Sequence, residues 1–185
     1  MAPSTAGDDP FGLAAAIRTI ADFPRPGVRF RDVTTLWADP VASRTAVLAL
    51  VDGAAGQQVT KVVGPESRGF IFGGVLAHVL GAGFVPLRKG GKLPGDVVEV
   101  AYELEYGSAT LAVHAGAVGP GDRVLVHDDL LATGGTALAA VELVRRLGAT
   151  VVGASFVVDL PDLGGARRLE AAGVRVSRLV EFRGH

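Results

Sequence analysis

The chain has 185 residues, of which 26 are glycine, 10 are proline and none is cysteine. Its 18 lysine and arginine residues nearly balance its 19 aspartate and glutamate residues, so the net charge of −1 provides no basic excess for binding nucleic acid or a membrane surface. The lack of cysteine excludes disulfides, thiolate metal sites and a cysteine nucleophile. We expect one domain over 1–185, a disordered tail over 1–8 and a cytoplasmic location.

Two Asp-Pro pairs predict the first helices, because aspartate caps a helix N-terminus and proline suits the first helical turn. We predict helices over 9–21 and 39–55. Pro24, Pro26 and Gly27 lie between them and exclude a helix there. That segment is predicted to be an ordered loop.

The rest of the chain alternates apolar strands with helices. Strands are predicted over 59–64, 84–88, 123–128, 150–159 and 174–180, and helices over 70–80, 135–147 and 163–172. A hairpin of 97–106 and 108–114 is predicted to form a flap. This order is typical of an α/β fold with a mostly parallel sheet flanked by helices, whose ligands bind beyond the carboxyl ends of the strands.

One uncharged stretch, residues 70–87, approaches the length of a membrane span. Gly81 and Gly83 interrupt it with a helix stop and a turn. We therefore predict a buried helix followed by a buried strand, and no membrane segment.

The run from Val124 to Thr136 is the most informative about chemistry. An apolar strand ends in Asp128 and Asp129, and a loop of small residues then enters a helix. The free N–H groups at that helix start suit a phosphate, and glycines let the backbone approach it. The carboxylates suit hydroxyls or a hydrated Mg²⁺. Together these features indicate a ribose 5-phosphate, and the alternative is an acidic strand end before an ordinary glycine turn.

The same run resembles the phosphoribosyl-pyrophosphate (PRPP) motif of type I phosphoribosyltransferases. Segments similar to those of the adenine phosphoribosyltransferase family lie at 23–34, 66–73, 88–95 and 104–107. The resemblance implies a type I fold with a small N-terminal base-binding hood and a flexible β-hairpin flap. It also implies a Mg²⁺-dependent glycosyltransferase of purine salvage, a homodimer that converts adenine and PRPP to AMP and diphosphate.

The resemblance implies a role for each group of site residues. The 5-phosphate would lie on Ala132, Thr133, Gly134, Gly135 and Thr136. The diphosphate would lie against Ser67, Arg68, Arg88, Lys89 and Lys92. Adenine would contact Val28, Arg29 and Phe30. Asp128 and Asp129 would hold the ribose hydroxyls and favour a cationic transition state. Glu105 would handle the purine proton, and Tyr106 would cover the site. Mg²⁺ would be held through PRPP and water, with no direct protein ligand.

Two residues depart from the family pattern: His127 stands where an aliphatic residue is usual, and Arg29 replaces a usually apolar residue. Two other functions fit the same motifs. One is transfer to another base, such as xanthine, hypoxanthine or orotate. The other is a non-enzymatic regulator that senses PRPP or a nucleotide, but it needs a nucleic-acid-binding element and the sequence contains no basic helix to supply one.

Overall fold

The chain folds as strands alternating with helices, and the computed structural model describes residues 7–103 and 108–184. The strands are β1 (Arg18–Ala21), β2 (Arg29–Asp32), β3 (Lys61–Pro65), β4 (Gly83–Lys89), β5 (Val97–Glu103), β6 (Ser108–His114), β7 (Arg123–Leu131), β8 (Thr150–Asp159) and β9 (Val176–Glu181). The helices are α1 (Thr34–Ala38), α2 (Pro40–Gly53), α3 (Gly69–Leu80), α4 (Gly135–Arg146) and α5 (Gly165–Ala171).

A central sheet has the strand order β5-β6-β4-β3-β7-β8-β9. The strands from β4 to β9 in that order are parallel, whereas β6 is antiparallel to both β4 and β5. Apolar side chains alternate between the two faces: Val62 and Leu125 pack with α2 and α3, and Val63 and Val126 pack with α4. The predicted α/β fold, with a mostly parallel sheet flanked by helices, is confirmed.

The predicted helix over 9–21 is wrong. The Asp9 carboxylate does accept hydrogen bonds from the backbone N–H groups of Leu13 and Ala14, at 2.8 and 3.0 Å, but only a short 3-10 turn follows. The chain then extends into β1, because β-branched residues such as Ile20 favour a strand once a partner is available. That partner is β2, in the segment predicted to be a loop, and Ile20 lies opposite Phe30.

Other elements lie close to their predicted positions. Asp39 caps α2 as expected, accepting hydrogen bonds from the N–H groups of Val41 and Ala42. The strand predicted to end at Asp128 continues to Leu131, because β7 keeps pairing with β8. Helix α1 was not predicted. The helix predicted over 163–172 is divided at Gly164, whose φ of +76° ends a 3-10 turn before α5 begins.

Helix α3 packs unusually close to β4. A Cβ atom at Gly73 would lie only 2.7 Å from the ring of Phe84, so glycine is needed for this approach. The helix ends at Gly81 in the left-handed conformation, with φ of 67°. Within residues 7–103 and 108–184, no helix has the length and apolar character needed to cross a membrane.

The predicted hairpin is confirmed where the chain is described. Strands β5 and β6 pair antiparallel, with Val100 opposite Leu111, and both side chains are buried beside α4. Residues 104–107 at its tip, which include Glu105 and Tyr106, lie outside the described residues.

Candidate active site

The site lies where β3, β4 and β7 end side by side in the sheet. Each of these strands leads into one of the predicted ligand loops, at 65–69, 88–95 and 128–136. Because neighbouring parallel strands end at the same edge, the fold brings the three loops together.

The predicted phosphate loop encloses a small cavity of about 100 Å³. The cavity is lined by Asp128, Leu130, Leu131, Ala132, Thr133, Gly134, Gly135, Thr136, Ala137 and Phe156. Gly134 has φ of 81°, and no side chain in the described part of the chain caps α4, so the first N–H groups of the helix are available to an anion. All five residues predicted for the 5-phosphate therefore share one concave site.

Helix α5 supports this loop from behind. The Gly165 N–H donates a hydrogen bond to the Ala132 carbonyl oxygen at 3.0 Å, and the Arg168 guanidinium donates to the Thr133 carbonyl oxygen at 2.8 Å. A Cβ atom at Gly165 would overlap the Ala132 oxygen, so only glycine fits. Sequence reasoning missed both residues, although the Gly164-Gly165 pair was a signal of close backbone approach.

Asp128 lies at the meeting point of β7 and the β3–α3 loop. One oxygen of its carboxylate accepts hydrogen bonds from the Ser67 hydroxyl, at 2.7 Å, and from the Asp129 N–H, at 2.8 Å. A Cβ atom at Gly69 would lie 2.5 Å from the same oxygen, so Gly69 makes room for the acid. Burial, followed by the charge of Asp129, raises the pKa of Asp128.

Asp129 is only 3% exposed and forms an ion pair with Arg68, whose Nε lies 2.9 Å from its carboxylate. Burial raises the pKa of Asp129, and the Arg68 charge opposes that rise. Arg68 was predicted to bind the diphosphate. The structure places it beside Asp129, with its guanidinium carbon 5.0 Å from the centre of the Phe30 ring.

Two of the other predicted diphosphate cations, Arg88 and Lys92, pair with Glu66. Its carboxylate accepts hydrogen bonds from Arg88 Nε and the Lys89 N–H, both at 3.1 Å, and pairs with the Lys92 ammonium. The Lys92 hydrogen bond, followed by that from Lys89, lowers the pKa of Glu66 to about 2. Glu66 was not among the predicted site residues, although an acid directly after a buried strand at this edge was a usable signal.

The hood formed by β1 and β2 presents Phe30 toward the site. The Phe30 ring packs edge-to-face with Phe23, at 5.1 Å between ring centres, and two exposed residues, Val28 and Arg29, precede it. A Cβ atom at Gly184 would lie 3.6 Å from Arg29 Nη1, so the Arg29 side chain reaches the C-terminal segment. The three residues predicted for adenine therefore lie together in the hood, and Phe30 contacts Arg68.

His127 faces the core rather than the two carboxylates. It is fully buried, and its Nδ1 lies 3.0 Å from the Ser155 hydroxyl. Its Nε2 has no hydrogen-bond partner within the described part of the chain. Burial lowers the pKa of His127 to about 4, so the ring is neutral near pH 7. Its ring packs edge-to-face against Phe72 of α3, at 6.4 Å between centres.

Residues 42–174 match a family model of the phosphoribosyl transferase domain, which defines the class of protein. The adenine phosphoribosyltransferase of Methylobacterium nodulans is 58% identical over 180 residues, which cover 96% of this chain and 99% of that protein. This chain therefore belongs to the adenine phosphoribosyltransferase family.

Solved structures agree with that assignment. Adenine phosphoribosyltransferase from Rhodothermus marinus superposes with a TM-score of 0.86 at 51% identity, covering 92% of this chain and 96% of that one. The Giardia lamblia enzyme, crystallised with 9-deazaadenine, gives a TM-score of 0.87 at 38% identity, covering 97% of this chain and 99% of that one. The type I phosphoribosyltransferase fold is thereby confirmed.

Proposed function

We propose that this protein transfers the phosphoribosyl group of PRPP to adenine, forming AMP and releasing diphosphate. The observation that carries the proposal is the cavity that Asp128 shares with the uncapped start of α4. An anion site and a carboxylate within one small cavity match the 5-phosphate and the hydroxyls of a ribose 5-phosphate. In the reaction, N9 of adenine bonds to C1 of the ribose, the C1–O bond to diphosphate breaks, and the base loses one proton.

The carboxylates act on the charge that develops at the ribose. As the C1–O bond breaks, the ring gains positive character, and negative groups fixed beside it stabilise the transition state. Ser67 fixes Asp128 by a hydrogen bond, and Arg68 fixes Asp129 by an ion pair. We assign them the ribose hydroxyls and this electrostatic role.

The basic residues at the end of β4 bind the leaving group in this proposal. Arg88 and Lys92 converge on the single carboxylate of Glu66, so the spacing of their charges suits an anion. The backbone N–H of Lys89 points to the same place. Diphosphate carries more negative charge than the Glu66 carboxylate, so it competes with Glu66 for these donors.

Adenine is assigned to the hood, stacked on Phe30 beside Val28 and Arg29. The bound 9-deazaadenine of the Giardia relative supports a purine as the acceptor. We assign proton transfer to Glu105 and cover of the site to Tyr106, both outside the described residues. Exclusion of water by such a cover favours attack by the base over hydrolysis of PRPP.

We propose that Mg²⁺ binds together with PRPP. The carboxylates of Asp128 and Asp129 are the oxygen donors that a hydrated Mg²⁺ prefers. Within residues 7–103 and 108–184, no three histidine, aspartate or glutamate side chains cluster as a metal site. We propose that PRPP and water hold the ion, and that Asp128 and Asp129 contact it only through water molecules. When bound, the ion offsets the negative charge of the diphosphate.

We also propose a homodimer formed through α3. Its Ile71, Val75 and Val79 recur every four residues, so they form one stripe along the helix, and they are 53%, 43% and 47% exposed. An apolar stripe of this kind is typical of a protein–protein contact. Sedimentation is expected to show a dimer that Val75→Glu dissociates, and a monomeric wild-type protein contradicts the proposal.

The reaction is tested by following product formation from PRPP with adenine, hypoxanthine, xanthine or orotate, with and without Mg²⁺. We expect AMP from adenine only when Mg²⁺ is present. Turnover of another base but not adenine contradicts the choice of acceptor. Binding of PRPP without turnover of any base favours the sensing regulator instead.

A further inference from the structure

Arg68 physically connects the hood with the ribose carboxylates. Its Nε lies 2.9 Å from Asp129, its Nη1 lies 4.0 Å from Asp32 of β2, and its guanidinium carbon lies 5.0 Å from the centre of the Phe30 ring. It is therefore in contact both with the group proposed to bind ribose and with the group proposed to stack on adenine.

The space between Arg68 and Phe30 is too narrow for a base. A planar ring needs about 3.5 Å on each side, or about 7 Å between the groups that enclose it. The guanidinium carbon is 5.0 Å from the ring centre. Adenine can occupy this face of Phe30 only after the Arg68 side chain has moved.

The ion pair with Asp129 opposes that movement. The Asp129 side chain is 5% exposed, so loss of Arg68 leaves a buried carboxylate without its partner. Hydroxyl groups that donate hydrogen bonds to Asp129 provide a replacement. Arg68 itself is 31% exposed and has room to turn toward solvent once released.

We propose that Arg68 couples the two substrate sites: ribose hydroxyls bound at Asp129 release its side chain, and this release opens the Phe30 face to adenine. The inference rests on the proposed function, because it assigns ribose to Asp129 and adenine to Phe30. The affinity for adenine alone is reduced by the small fraction of molecules in which Arg68 has left Phe30. By linkage, adenine also tightens the binding of the ribose ligand.

The test is calorimetric titration of adenine into the full chain, alone and with saturating ribose 5-phosphate. This probe carries the hydroxyls and the 5-phosphate but has no leaving group, so no reaction occurs. We expect ribose 5-phosphate to tighten adenine binding about 5-fold or more, as is usual for coupled sites.

Two variants identify the residue responsible. Arg68→Met keeps an unbranched side chain but removes the charge. Without ribose 5-phosphate, this variant should bind adenine nearly as tightly as the wild type does when ribose 5-phosphate is present. Asp129→Asn leaves Arg68 in place but weakens its anchor, and should also tighten the binding of adenine alone. Arg146→Met is the matched control, because Arg146 pairs with Glu142 on α4 and the pair lies apart from Arg68 and its two acidic partners. It should retain the coupling.

The proposal is overturned if wild type binds adenine equally well with and without ribose 5-phosphate, or if Arg68→Met retains the full coupling. AMP formation without coupling contradicts this inference alone. A chain that binds neither ligand and forms no AMP contradicts the proposed function, and the inference with it.

Discussion

Gly165 lies so close to Ala132 that a methyl group at position 165 would overlap the Ala132 carbonyl oxygen. Gly165→Ala is therefore expected to displace the phosphate loop. Overpacking of this kind costs about 1–3 kcal/mol of stability. A loop displaced by about 1 Å lowers kcat/KM for PRPP by about 100-fold. Thermal melts and steady-state kinetics measure both effects.

Gly119→Ala serves as the control for this variant. An added Cβ at Gly119 meets no heavy atom of the described residues within 4 Å, and its φ lies outside the left-handed region. This control should leave kcat/KM unchanged and change stability by no more than about 1 kcal/mol. Normal PRPP kinetics in Gly165→Ala would show that the loop does not depend on α5.

Asp128→Asn is expected to lower activity and raise stability together. Removing the charge that opposes the developing cation costs about 10²–10³ in kcat. Because the folded pKa of Asp128 is raised, its contribution to stability is greatest in acid and is lost as pH rises through that folded pKa. Asparagine carries no charge to desolvate, so we expect a gain of about 0.5–2 kcal/mol near pH 8. Asp52→Asn, at an exposed aspartate, is the control. If Asp128→Asn is less stable than the wild type, burial of the charged Asp128 does not destabilise the fold.

The raised pKa of Asp128 also predicts the pH dependence of kcat/KM for PRPP. The carboxylate is the proposed active form, so activity should fall with decreasing pH at a midpoint well above 3.8, the ordinary value for aspartate. Asp129→Asn removes the neighbouring negative charge, which is the second cause of the raised pKa. It should move the midpoint of the remaining activity to lower pH, and an unmoved midpoint argues that another group controls the profile.

Phe30→Ala is expected to weaken adenine binding selectively. Stacking of a base on an aromatic ring contributes about 1–3 kcal/mol, which corresponds to about 5- to 150-fold in affinity. KM for PRPP should change little, because Phe30 does not line the phosphate cavity. Equal losses for both substrates would mean that Phe30 serves packing alone. Phe11→Ala, at another partly exposed phenylalanine, provides the comparison.

The buried pair of His127 and Ser155 predicts loss of stability in acid. The folded pKa of His127 is about 4 against an ordinary 6.5, so unfolding takes up a proton between these values. Stability from this group is fully present above pH 6.5 and falls by up to about 1.4 kcal/mol per pH unit toward pH 4. The double variant His127→Val, Ser155→Ala should lack this slope in denaturant titrations. Identical slopes in both proteins would contradict the burial of a neutral ring.

The helices and strands that the sequence predicts best are those determined by nearby residues. Helix α2 follows from the Asp39 cap and Pro40, and β8 lies where its β-branched residues predict it. The hood is different, because Asp9 and Pro10 carry a genuine helix signal that lasts only one turn. The pairing of β1 with β2 then overrides it, and no local pattern shows that a partner strand will be available.

The same distinction between local and long-range signals separates the site residues that could be predicted from those that could not. The phosphate loop and its two acids can be predicted because one continuous run contains them. Gly165, Arg168 and Glu66 were missed because their roles arise only when separate segments meet. Arg68 was expected among the diphosphate cations, and its pairing with Asp129 depends on where α3 begins relative to β7.

The contact between Gly73 and Phe84 has a consequence for how related sequences diverge. The Phe84 ring occupies the space that a side chain at Gly73 would need, and Gly64 also approaches it, at 3.1 Å from an added Cβ. These positions share a fixed volume, so a larger residue at 73 is compatible with the fold only when 84 becomes smaller. Across homologues, the two positions should therefore covary in size, with alanine at 73 accompanied by an aliphatic residue at 84.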